Sequence, residues 1–269
     1  QDFWSVSTQL ALTQATTPKT ASLLLRLVTQ LPNQIQQIRN LLTSNEWNAA
    51  ATHIQSMLKW SKFGRHLTTP RTVVLCGQPN VGKSSLVNAM SGFQRAIVHD
   101  IAGTTRDVVS QALAINGWPV TVKDTAGLRN SDNPIEIQGI AQAKAQILNS
   151  DLTICVFDAN EPRQSESAEI VTQTKPDLVV FNKIDLLSPN RPVHPISTGH
   201  LPTIQTSVKT KKGIRELIEI IGTQLVPELP GETQAYPVTA EQHQRLEETL
   251  DCLNQKSPRP LNQALERLS

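Results

Sequence analysis

The sequence predicts an α/β domain, a mixed and mostly parallel sheet between helices, inserted into a small α-helical domain. Three observations carry that reading. Between Arg71 and Leu225, short apolar runs alternate with helical patterns, whereas on either side only helical spacing is found. Neither helical flank is long enough to hold a good core alone, so the simplest solution packs the two against each other. The expected boundaries are a helical segment over 1–69, an α/β domain over 70–228 and a second helical segment over 229–269.

In the first flank Leu24, Leu27, Val28, Leu31, Ile35, Ile38 and Leu42 recur at three- and four-residue spacing and make one apolar face. Pro32 interrupts them, which predicts either a kink or a second helix starting at that proline. "TSNE" (Thr43 to Glu46) has capping-box spacing ahead of Trp47, Ala50, Ala51, Ile54 and Leu58, and Gly64 is a plausible stop. From Arg71 the runs "TVVLC", "VVSQALAI", "VTVK", "LTICVF" and "DLVVF" read as strands. "INGW" joins two of them through Asn-Gly, a hairpin signal. Four prolines between 188 and 202 exclude a regular helix there. Beyond Pro227 and Pro230, "TAEQ" offers another capping box, followed by Leu246, Leu250 and Leu253 and then by Leu261, Leu265 and Leu268.

With 269 residues, 38% hydrophobic and 18% charged, the composition is that of an ordinary globular chain. A net charge of +2 argues against a binder of nucleic acid driven by overall charge. Cys76, Cys155 and Cys252 form neither a metal spacing nor a disulfide framework, and the first two read as buried core thiols. No secretory or membrane-spanning segment is legible, and a cytoplasmic location without membrane contact is expected. Because the chain begins with Gln1, it reads as a fragment of something longer.

The chemistry lies in four short stretches, each at a strand end. "GQPNVGKS" (Gly77 to Ser84) fits G-x-x-x-x-G-K-[ST] between a strand and a helix. There Gly77, Asn80, Val81, Gly82, Lys83, Ser84 and Ser85 would wrap phosphates with backbone N–H groups at a helix N-terminus. Lys83 would reach the β- and γ-phosphates, and Ser84 would bind Mg²⁺. In "DTAG", Asp124 can hold Mg²⁺ and the Gly127 N–H can sense a γ-phosphate. "NKID" offers Asn182, Lys183 and Asp185, whose carboxylate can accept two hydrogen bonds from the N–H edge of guanine. Adenine would leave that buried carboxylate unpaired and is rejected. "TSVKT" closes the series, with Ser207, Val208 and Lys209 beside the guanine oxygen. In this order and spacing the four predict an α/β P-loop GTPase domain that binds GTP and GDP.

These motifs resemble the translation-factor-related GTPases. "RAIVHDIAGTTRD" (Arg95 to Asp107), with "GQPNVGKSSLVNAMSG" and "DTAGLR", makes the stretch similar to the G domain of the MnmE (TrmE) tRNA-modification GTPases. The likeness is dense over 71–140 and looser to 226. The resemblance implies a G domain inserted in a helical domain, and a potassium ion beside the phosphates. The ion's ligands would be Asn80, the carbonyls of His99 and Ile101, and Thr104. Thr105 would match the switch threonine on Mg²⁺. Pairing of two G domains in a transient homodimer is implied, as is a tRNA or a tRNA-modification partner.

Leu128 stands where many small GTPases carry a glutamine that orients water. By the resemblance Glu136, in "NPIEIQGI", takes that task, beside Lys83 and Thr105 as catalytic residues. A cis arginine finger at Arg106 is a second reading. The folate-binding domain and the FCxGK motif of full-length MnmE proteins are not found in this chain; Cys252, in "LDCLNQ", is no match. The alternative function is a GTP-dependent switch or scaffold in ribosome or RNA assembly with little turnover of its own. An Era-like version would need a KH-type RNA-binding domain, and the tail has no basic G-x-x-G loop.

Overall fold

The computed structural model describes residues 2–93, 110–124, 145–160, 164–188, 200–254 and 265–268. Along the chain the elements are α1 (Phe3–Thr13), α2 (Pro18–Thr43), α3 (Trp47–Leu58), α4 (Ser61–Arg65), β1 (Arg71–Cys76) and α5 (Lys83–Phe93). Then come β2 (Ser110–Ile115), β3 (Trp118–Asp124), β4 (Leu152–Asp158), α6 (Gln164–Thr174), β5 (Leu178–Asn182), β6 (Thr203–Gln205), α7 (Ile214–Leu225) and α8 (Ala240–Asn254). The chain divides into two compact units, Gln1–Pro70 with Glu228–Ser269, and Arg71–Pro227.

In the helical unit, most of the face read from the sequence is buried: Leu24, Leu27, Leu31, Ile35, Ile38 and Leu42 lie inside, and Val28 is half-buried. The helix runs on through Pro32 as one element of 26 residues, so the second-helix alternative does not form. "TSNE" does not form the expected capping box. Glu46 is the N-cap of α3 and no side chain caps it. Instead the stretch ends α2. Asn45 adopts a left-handed φ of 63°, the Glu46 N–H reaches the Leu41 carbonyl at 2.8 Å, and the Asn45 N–H reaches that of Leu42 at 3.2 Å. That pair of bonds is a Schellman motif, and it satisfies carbonyls that α2 would leave orphaned. Gly64 is no stop but lies inside α4, where a Cβ would stand 2.0 Å from the Pro237 carbonyl oxygen.

"TAEQ" is a true capping box: Thr239 Oγ1 accepts from the Gln242 N–H at 3.1 Å, and Gln242 Oε1 accepts from the Thr239 N–H at 3.3 Å. Gln242 also donates to Ser7 Oγ (2.8 Å) and Thr8 Oγ1 (3.0 Å) on α1. Trp4 is fully buried and donates from its indole to the Leu268 carbonyl at 2.7 Å. The two sequence flanks therefore share one core.

The α/β unit is a six-stranded sheet of order β2-β3-β1-β4-β5-β6, parallel except for β2. β2 is antiparallel to β3, joined by Asn116 (φ 51°) and Gly117 (φ 82°). Both residues have positive φ, as a type I′ hairpin turn requires. One face of the sheet packs Leu86 and Met90 of α5 and Leu217, Ile218 and Ile221 of α7 over Val73, Leu75, Ile154 and Val180. On the other face lie Cys76 and Cys155, in register on adjacent strands, with Phe157, Val179 and Phe181. Both thiols are buried and reduced; the neighbouring Cys76 and burial push the Cys155 thiol up. No helix among the described residues is long and apolar enough to cross a membrane.

Candidate functional site

The C-terminal ends of β1, β3, β5 and β6 bring the motifs together at one sheet edge, where open α/β sheets hold their ligands. β1 stops at Cys76 and the loop turns at Gly77, whose φ of 137° suits glycine alone. A Cβ there would meet the Val156 carbonyl oxygen at 2.2 Å. Asn80 continues the turn at φ 64° with its side chain exposed, and Gly82 (φ 93°) delivers the chain to α5. Val81 is buried, while Ser84 and Ser85 are exposed at the start of the helix.

The Lys83 side chain curls back over its own loop. Its Nζ donates to the carbonyls of Gly77 (3.1 Å) and Gln78 (2.8 Å), so the charge sits inside the arc of the loop. Ser84 Oγ donates to Asp124 Oδ2 at 2.5 Å, with Asp124 almost fully buried at the end of β3. These two oxygens lie close enough to share one hard cation beside the lysine. Their chemistry fits Mg²⁺, which takes one or two protein oxygens and keeps its other positions for water and phosphate.

At the other end of the loop, Asn182 is buried at the end of β5. It donates from Nδ2 to the Val81 carbonyl at 3.0 Å and accepts at Oδ1 from Thr206 Oγ1 at 3.1 Å. Asn182 thus ties the phosphate loop to the segment after β6. Lys183 takes a left-handed φ of 63° and leads into the 3₁₀ turn Ile184–Leu186. Within that turn Asp185 Oδ1 accepts from Ser207 Oγ at 2.5 Å. Ser207 Oγ in turn accepts from the Thr210 N–H at 3.1 Å, and the Ser207 N–H reaches the Lys212 carbonyl at 3.0 Å. The carboxylate is thereby held in one orientation but is exposed rather than buried as expected from the sequence, while Lys209 stays exposed beside it and Val208 is half-buried.

Gly77, Asn80, Val81, Gly82, Lys83, Ser84, Ser85, Asp124, Asn182, Lys183, Asp185, Ser207, Val208 and Lys209 all fall on this edge or on the loops that leave it. His99, Ile101, Thr104, Thr105, Gly127 and Glu136, with Arg106 and Leu128, lie outside the described residues. Two participants were not singled out from sequence. Thr206 stands inside the quoted "TSVKT", but its hydroxyl bond to Asn182 has no local signal. Asp158, the last residue of β4, forms an ion pair with Lys183 at 2.7 Å. The parallel register of β4 and β5, which sets Asp158 opposite Asn182, is what brings Asp158 beside Lys183.

Comparison with known proteins points to the same fold. The family described as 50S ribosome-binding GTPase matches residues 72–183. The tRNA modification GTPase MnmE of Xanthomonas oryzae pv. oryzae is 37% identical over 183 residues, covering 67% of this chain and 39% of that protein. MnmE of Coxiella burnetii is 39% identical over 176 residues, 62% of this chain and 38% of that protein. MnmE of Chlamydia felis is 37% identical over 202 residues, 75% of this chain and 44% of that protein. The aligned part of the chain thus spans about two fifths of the length of these relatives. Residues 72–183 carry a P-loop GTPase domain, and the sequence of that domain is similar to that of the MnmE tRNA modification GTPases.

Proposed function

We propose that the chain binds GTP and GDP and hydrolyses GTP to GDP and phosphate. The observation that carries this reading is the pairing of two half-sites on one sheet edge. Lys83 and the Ser84–Asp124 pair suit a Mg²⁺-phosphate group, and Asp185, held by Ser207, suits the N–H edge of guanine. Mg²⁺ on Ser84 and Asp124, with Thr105 as the switch ligand, would offset negative charge on the phosphates. Lys83 would hold the bridging and terminal phosphate oxygens, and the loop N–H groups would orient them for in-line attack.

Leu128 cannot orient water, so hydrolysis needs another group, and we assign that task to Glu136. Potassium at Asn80, His99, Ile101 and Thr104 would supply charge beside the phosphates. A positive charge delivered there as an arginine finger is worth roughly 10³–10⁵ in rate. The exposed side chain of Asn80 at a left-handed turn leaves its amide oxygen available on the loop surface. A transient homodimer through G domains would shield that ion, and a tRNA or a tRNA-modification partner is proposed as the target. These assignments rest on likeness to MnmE proteins.

The test is steady-state GTP turnover with Mg²⁺ in KCl and in NaCl at equal ionic strength, for the wild type, Asn80→Ala and Glu136→Ala. Stimulation by potassium that is lost in Asn80→Ala, with turnover abolished in Glu136→Ala, is the expected result. Turnover indifferent to the cation and to both substitutions would contradict the catalytic assignments and favour a switch or scaffold with little intrinsic turnover.

A further inference from the structure

We propose that Asp158 is a positioning residue for guanine-nucleotide binding, acting through Lys183; this rests on the nucleotide reading above. Asp158 ends β4 and is paired in register with Asn182, the residue before Lys183 on β5. The Ala159 N–H reaches the Asn182 carbonyl at 2.8 Å, so the two strand ends leave the sheet tied together. The Asp158 side chain is only 9% exposed, and both its oxygens are used. Oδ1 accepts from the Asn160 N–H at 2.9 Å, and Oδ2 faces Lys183 Nζ at 2.7 Å.

Lys183 is one-third exposed and its left-handed backbone turns its stem toward the phosphate loop. Its Cε lies 4.0 Å from the point where a Cβ on Gly82 would stand. The stem therefore runs from the β5 end past the glycine that precedes α5, with its ammonium held by Asp158. A free lysine has four rotatable side-chain bonds and loses that freedom on ordering. Here Asp158 has already restricted it, so an apolar stem stands in place between the guanine reader Asp185 and the phosphate loop. Binding a base against it then costs less ordering.

The experiment measures equilibrium binding and dissociation of a fluorescent GDP by the full chain, with melting of the nucleotide-free protein measured in parallel. Asp158→Asn keeps an oxygen for the Asn160 N–H but removes the charge. It should raise the GDP dissociation constant about tenfold, the scale of one charge-assisted hydrogen bond, mainly through faster release. Asp158→Glu should restore most of the affinity. In a Lys183→Ala background, Asp158→Asn should add nothing further, because the effect travels through that side chain. Wild-type affinity in Asp158→Asn, or a full additional loss in the double variant, would overturn the proposal while leaving the nucleotide reading intact. If Asp158→Asn does not fold, Lys183→Met decides: it keeps the stem and removes the ammonium, and unchanged GDP binding there overturns the proposal. A folded wild type that binds no GDP overturns both readings.

Discussion

Asp185 shows how a single side chain is prepared to read a base. Its carboxylate is fixed by the Ser207 hydroxyl, which is itself fixed by the Thr210 N–H. Replacing Asp185 with Asn exchanges an acceptor for a donor at the position that meets the guanine edge. The account predicts a loss of GDP affinity of at least about tenfold, with a gain for the xanthine nucleotide, whose C2 oxygen can accept from the new amide. Competition binding with the two diphosphates measures both. Gly82 makes a second residue-scale prediction. A Cβ there would come within 2.5 Å of Asn182 Nδ2 at a φ of 93°, so Gly82→Ala should disturb the Asn182–Val81 bond and weaken nucleotide binding. These loop residues were legible in the sequence because each motif is local and of fixed spacing. Asp158 was not, since an aspartate at a strand end looks like any other until the register sets it beside Lys183.

At the scale of elements, the same distinction between local and non-local causes decides what could be read. β1, β4 and β5 are buried on both faces and announce themselves as unbroken apolar runs. β6 has three residues with only Ile204 buried, next to a proline-rich stretch, and gives no comparable signal. The "TSNE" stretch carries two chemistries at once, and the Schellman ending of α2 prevailed because Asn45 can adopt positive φ. Gly64 is kept small by packing. Gly64→Ala would place its Cβ against the Pro237 carbonyl and the Tyr236 ring, so it should lower the melting temperature of the helical unit. On α3, burial lowers the His53 pKa below its ordinary 6.5, and its Nε2 lies 3.1 Å from Gln34 Oε1 on α2. A depressed folded-state value means that the unfolded chain takes up the proton more readily. The stability is complete above pH 6.5 and is lost as the pH falls from there toward the folded-state pKa. Urea unfolding of the helical unit should show that decline, and His53→Gln should flatten it.

The whole molecule is two units on one chain, and the helical one is closed by residues from both ends of the sequence. Gln242 is fully buried and uses both ends of its amide, accepting from Val238 and Thr239 and donating to Ser7 and Thr8. Gln242→Ala strands several of these groups and should cost about 2–3 kcal/mol in the unfolding of the helical unit. GDP affinity should stay at the wild-type value, and calorimetric melting with a parallel binding titration checks both. Periodicity marked the flanks as helical, yet the bonds that join them were invisible in sequence, because a buried glutamine has no pattern of its own. In the other unit the sheet edge is proposed as a guanine-nucleotide site, and this assignment has a simple test. It is tested most directly by calorimetric titration of the nucleotide-free chain with GDP and with ADP in the presence of Mg²⁺. The account predicts one site per chain for GDP and no measurable binding of ADP. Equal affinity for the two, or binding of neither by folded protein, would contradict it.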